Sequence, residues 1–190
     1  EDLALTNIAL DLLGQARLLL ARAAAADASL VPALPDGSPV PPEDALAFFR
    51  EAGEFRNVRL VELDNGDFAV TIVKLLLHSS ARIAIFEQLV DSRDHVLAAV
   101  AAKGVKELTY HRDYAGRWFL TLARGTDESR RRLDAALEQV WPLQAEQFAT
   151  HEVEALVAAA GVGVDPATVA DAVAVVLAQV FALSGVEQPT

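Results

Sequence analysis

The sequence predicts an all-α protein, a bundle of long helices, on three observations. Apolar residues recur at steps of three and four through several long segments, and Pro and Gly gather in the breaks between them. No stretch alternates apolar and polar residues convincingly as a strand does. Composition agrees: 53% of residues are apolar, rich in Ala, Leu and Val, and only 6% are aromatic, which suits a packed helical core and argues against disorder. With 190 residues the chain reads as a single domain, 1–190, whose last helix (about 165–183) forms a C-terminal extension.

The elements follow in order. Residues 3–25 place Leu5, Ile8, Leu12, Ala16 and Leu19 at helical spacing. The stretch "VPALPDGSPVPPED" is a loop ending in a Pro-Glu-Asp helix start, and a helix over 43–62 follows, closed by the turn "DNGD" at 64–67. Residues 67–90 are apolar on almost every side, as a helix buried in the middle of a bundle must be. Ser92 or Asp94 caps the next helix, 94–124, which ends at Gly125; Thr126 caps another carrying Leu133, Leu137 and Val140 before Pro142. Asp165 and Pro166 open the last helix.

Charge and missing residue types exclude several classes. Acidic residues number 27 against 16 Lys and Arg, a net charge of −11, which disfavours a nucleic-acid partner. With no cysteine there is no disulfide, thiolate metal site or Cys nucleophile; a cytoplasmic protein is expected. No uninterrupted apolar run reaches the length of a membrane span, since Asp171 and Gln179 break the apolar C-terminal segment. The sequence lacks methionine even at position 1, so we expect a piece that has lost part of its natural N-terminus.

The stretch with the most chemistry is "KELTYHRDYAGRWFLTL", 106–122. Glu-x-x-His on facing helices is how four-helix bundles hold a carboxylate-bridged metal pair. Here the residue three before His111 is Leu108, and the residue three after Glu107 is Tyr110. The buried stripe of this helix reads Leu97, Ala101, Gly104, Leu108, His111, Ala115, Trp118 and Leu122, so His111 points into the bundle. Its expected hydrogen-bond partner is Glu107, four residues earlier on the same helix. Lys74, inside the apolar 67–90 helix, either forms an internal pair with a carboxylate such as Glu107 or reaches the bundle rim on a buried stem. His78 sits one turn from Lys74 and from Arg82, a poor place for a metal, and His95 and His151 read as solvated. The basic cluster "SRRRLD", 129–134, reads as a solvated helix face rather than a phosphate site, and Trp118 and Trp141 as core or interface anchors.

The stretches "NIALDLLGQARLLL", "NGDFAVTIVK", "KELTYHRDYAGRWF" and "LDAALEQVWPL", in this order, resemble the C subunits of the bacterial phenylacetyl-CoA ring-epoxidase, a multicomponent monooxygenase also called phenylacetate-CoA oxygenase. The resemblance covers nearly the whole chain. It implies a ferritin-like fold, whose family N-terminal helix is missing here, and a hetero-oligomer with a related catalytic A subunit that carries the di-iron centre. Further B and reductase subunits are implied, with a homodimer possible for the chain alone. The 3–25 and 67–90 helices carry more apolar surface than one bundle seam needs, so they are the expected partner faces. The catalytic subunit has an Asp-Glu-Ala-Gly-His run where this sequence has "DLLGQ", 11–15, and a Lys-Glu-Glu-Ser-Phe-His run where it has "KELTYH", 106–111. The four ligand positions are therefore Leu12, Gln15, Leu108 and His111, of which only His111 is a ligand of the family. Leucine has no lone pair, and an amide is a poor ligand for iron in this setting. The resemblance thus implies a structural, catalytically silent subunit in aerobic phenylacetate degradation, with no metal or cofactor of its own. The alternative is an active di-metal oxidase or hydroxylase using Asp11, Glu107 and His111. A third reading has the subunit recognising the CoA thioester.

Overall fold

The computed structural model describes residues 2–34, 37 and 39–189; the loop positions 35, 36 and 38 lie outside the described residues. Those described form helices and connections, with no strand among them. The first long helix, α1 (Asp2–Ala26), follows the expected 3–25 span closely.

The helix expected over 43–62 is a correction. The chain instead forms α2 (Pro42–Phe48), a 3-10 turn at Ala52–Glu54 and the one-turn α3 (Arg59–Glu62). Two local interactions end α2 early. Arg50 Nε donates to the Leu46 carbonyl and its guanidinium stacks 4.2 Å from the Phe55 ring centroid. Glu51 and Glu54 then close a reciprocal capping box that starts the 3-10 turn afresh.

Gly66, at φ +57, makes the turn after α3, a backbone state that costs glycine little and other residues more. Asp67 then caps α4 (Phe68–Leu89) by accepting from the Val70 N–H. Asp94, not Ser92, caps α5 (His95–Arg124), accepting from Val96 and Leu97; Ser92 instead donates to the Val162 carbonyl. Thr126 caps α6 (Asp127–Val140) in a capping box with Ser129. Pro142 does not stop the chain's helical course. It sits in the first turn of a 3-10 segment, Trp141–Phe148, where its missing N–H is not needed. A further helix that the periodicity did not announce, α7 (Glu152–Ala159), follows, capped by His151. Asp165 caps a 3-10 turn, Pro166–Val169, that runs into α8 (Ala170–Ser184).

α4 and α5 form the central hairpin; α6 and α8 pack on both, while α1 packs on α5 and α2. The main core joins Ile72 and Leu76 of α4, Phe119 of α5, Leu133 and Val140 of α6, and Phe181 of α8. Phe181 meets Phe119 and Trp141 edge-on, with centroids 5.4 and 5.3 Å away, geometry that aromatic quadrupoles favour. α8 is thereby locked into the core. A second apolar cluster, at the other end of the hairpin, contains Ile83, Phe86, Val100, Ala101 and Leu108. Leu12 of α1 packs against both clusters.

By length and composition, Leu3–Ala26, Phe68–Leu89 and Pro166–Ser184 are each apolar enough to cross a bilayer, although no run is uninterrupted. In this fold the α4 segment uses that apolarity internally, between α5, α6 and α8.

Candidate functional site

α1 and α5 run antiparallel, and the register of their contacts is set by three polar couples. Asp11 meets His111, Gln15 meets Glu107, and Arg22 meets Asp94, so α1 climbs as α5 descends. Gly104 lets the helices come close. A Cβ built there would stand 2.5 Å from a Phe86 ring carbon and 3.5 Å from the Gln15 amide carbon.

His111 is fully buried, at 0% exposure, and its Nε2 lies 3.0 Å from Asp11 Oδ2. A carboxylate only accepts, so Nε2 carries the hydrogen of this bond, and Nδ1 faces the interior. Among the described residues no group pairs with that Nδ1. The expected partner Glu107 is a correction. Its carboxylate accepts from Gln15 Nε2 at 2.9 Å and pairs with Lys103 at 2.9 Å. Spacing along one helix put Glu107 beside His111, but two cationic or amide donors claim it, while Asp11 comes straight across from α1.

The other ligand positions are apolar or amide. Leu108 is buried in the second cluster, Leu12 bridges both clusters, and Gln15 is buried with its amide on Glu107. Asp11, Glu107 and His111, the ligand set of the di-metal alternative, are thus engaged in two separate couples. Among the described residues no three His, Asp or Glu side chains gather where one ion could bind. A carboxylate-bridged metal pair needs several anionic oxygens and two histidines converging in the core. This donor set does not fit one.

Two residues of α4 belong to the same region. Burial above all, then the charge of Arg82 and then His111, hold the His78 imidazole down to about 4. Its Nδ1 is buried without a partner. Arg82 stacks its guanidinium carbon 4.6 Å from the Phe86 ring centroid, and burial lowers its pKa. The one signal in the sequence was an arginine in an apolar helix, in the same row as Lys74. Lys74 itself takes the rim position: its ammonium donates to the Leu63 carbonyl at the end of α3, and no pair with Glu107 forms.

Elsewhere the basic 129–134 cluster is neutralised internally. Arg130 pairs with Asp134, Arg131 with Glu128, and Arg132 with Glu128 and Asp67, leaving no ready phosphate cradle. His95 and His151 are exposed at helix starts. Trp141 is buried in the core and Trp118 stacks edge-on with Phe68 at 5.0 Å. Of the two helices expected to carry surplus apolar surface, α1 does, with Leu3, Leu10, Leu13 and Leu18 exposed, whereas most of α4's apolar side chains are buried.

Fold and site together define a ferritin-like helical bundle in which hydrogen-bonded side chains and leucines fill the centre. A family model described as phenylacetic acid catabolic protein matches residues 1–190, and the chain belongs to that family. It is similar to the C subunit of the 1,2-phenylacetyl-CoA epoxidase of Escherichia coli (strain K12), 40% identical over 167 residues, 88% of this chain. The matched region spans 63% of that relative's length.

Proposed function

We propose that this chain is a structural, non-catalytic subunit of a phenylacetyl-CoA epoxidase, holding no metal itself and supporting a di-iron A subunit in aerobic phenylacetate breakdown. The observation that carries this reading is the pair of leucines, Leu12 and Leu108, at the positions where bridging carboxylates would have to stand, packed into apolar clusters. Arg82 adds a fixed positive charge on the same side of the bundle, which raises the cost of placing a dication there. The retained Asp11–His111 couple has the form of a metal site's outer shell, in which a histidine donates its second N–H to a carboxylate. Without the inner shell it serves packing and polar satisfaction.

The partner surface in this reading is the outer side of α1. Leu3, Leu10 and Leu13 are 75%, 60% and 61% exposed, a run of large apolar side chains that a monomer rarely leaves in water. A permanent subunit interface buries on the order of 2,000 Å² or more, and this helix supplies its apolar centre. The complex works in the cytoplasm, with neither membrane nor nucleic acid as partner; the B and reductase subunits complete it.

The test is co-expression with the catalytic A subunit, followed by co-purification and assay of phenylacetyl-CoA epoxidation with the reductase present. The two chains should purify together, and His111→Ala should lower stability while sparing turnover of the assembled complex. A catalytic subunit that is stable and fully active alone, and does not bind this chain, contradicts the reading.

A further inference from the structure

Two ring nitrogens in the centre of the bundle have no hydrogen-bond partner among the described residues: Nδ1 of His78 on α4 and Nδ1 of His111 on α5. A buried polar atom left unpaired is costly, and native folds rarely keep one. Both atoms are already sealed from solvent by the helices around them, so a segment or subunit laid on the outside of the bundle does not reach them. Their partner has to come from within.

The register of the α4–α5 hairpin puts the two rings at one level. Gly104 of α5 lies against Phe86 of α4. In antiparallel helices a step back along one matches a step forward along the other. His78 stands two turns before Phe86, and His111 stands two turns after Gly104. His111 is also close enough to act electrostatically on His78. No direct bond joins the two Nδ1 atoms. Polar atoms that neighbour one another without bonding are the setting of a bridging water.

We propose that one buried water bridges His78 Nδ1 and His111 Nδ1, tying α4 to α5 and, through the Asp11–His111 couple, to α1. Water suits the pair because it both donates and accepts, so it serves a ring nitrogen with or without a hydrogen. Two polar partners are the fewest that hold a buried water. A metal ion does not suit the pair. Arg82 already sets its charge on His78. The carboxylates of the region are engaged, Asp11 by His111 and Glu107 by Gln15 and Lys103, so they do not offset a second cation. The site needs only this chain, and it stands apart from the subunit reading.

Magnetic relaxation dispersion of the solvent counts long-lived internal waters, and a crystal structure of the purified chain locates them. One ordered water is expected about 2.7–3.2 Å from both Nδ1 atoms. His78→Leu, which removes one anchor and puts an apolar side chain in its place, should hold one long-lived water fewer than the wild type. An equal count in His78→Leu overturns the proposal. So does a crystal structure with no ordered water between the rings, with a direct ring-to-ring hydrogen bond, or with a metal ion bound to the two nitrogens.

Discussion

Replacing Asp11 by alanine isolates the role of the central couple. His111 is 0% exposed and its Nε2–H reaches Asp11 Oδ2 at 3.0 Å, whereas the Asp11 side chain is 34% exposed. The two partners therefore respond differently to losing each other. Water can replace His111 for Asp11, but nothing can replace Asp11 for a histidine sealed in the core. Asp11→Ala leaves a buried donor unsatisfied and should cost about 1–3 kcal/mol. In a domain of this size that is a fall in melting temperature of roughly 2–4 °C per kcal/mol. His111→Leu removes the donor and keeps the volume apolar, so it should be close to neutral. In the His111→Leu background Asp11→Ala should then cost almost nothing. Urea unfolding of the two single variants and the double variant gives the coupling directly. Equal costs of Asp11→Ala in both backgrounds, or no cost in either, would refute the couple as a structural device.

Other outcomes follow from the same geometry. His78 is held at about 4 against an ordinary value of 6.5, so the unfolded chain takes up its proton first as pH falls. Stability should be unaffected by His78 above 6.5 and decline between 6.5 and about 4 by about 3 kcal/mol. His78→Leu should flatten that part of a urea-midpoint profile, and an unchanged slope counts against the burial. Gly104→Ala should gain about 1 kcal/mol of helix propensity but force its methyl to 2.5 Å from the Phe86 ring. Overpacking, about 1–3 kcal/mol, should win, and a higher melting temperature would show the ring free to move. In the absence of the proposed partner the chain should self-associate through α1, and Leu10→Lys with Leu13→Lys should restore a monomer in sedimentation; persistent oligomers would place the apolar contact elsewhere.

The long helices were legible because their signals are local. The apolar repeats of α1 and α4 and the caps at Asp94 and Thr126 each depend on residues within a few positions. The break at 49–58 was hidden because Phe48, Phe49 and Phe55 keep an apolar rhythm while Arg50 and the Glu51–Glu54 box end and restart the chain. Pro142 read as a stop because the sequence does not show that a 3-10 segment takes it in its first turn. In the centre, Leu108 could be read from its place three residues before His111, whereas Leu12 stood out as a ligand position only through the family resemblance. The partner of His111 could not, since it depends on the register of α1 against α5, which sequence spacing along α5 does not contain. Lys74 drew attention ahead of Arg82 for a similar reason. Only the packing separates a side chain that reaches the α3 carbonyl from one that stays over Phe86.

Elemental analysis of the purified chain, alone and in the proposed complex with a catalytic A subunit, tests the central claim most directly. Two leucines and an amide at the ligand positions, with the Arg82 guanidinium nearby, lead to an expected result of no stoichiometric iron or manganese in the chain alone, and no additional metal from this chain in the complex. One or more tightly held ions per chain, lost in His111→Ala, would contradict it.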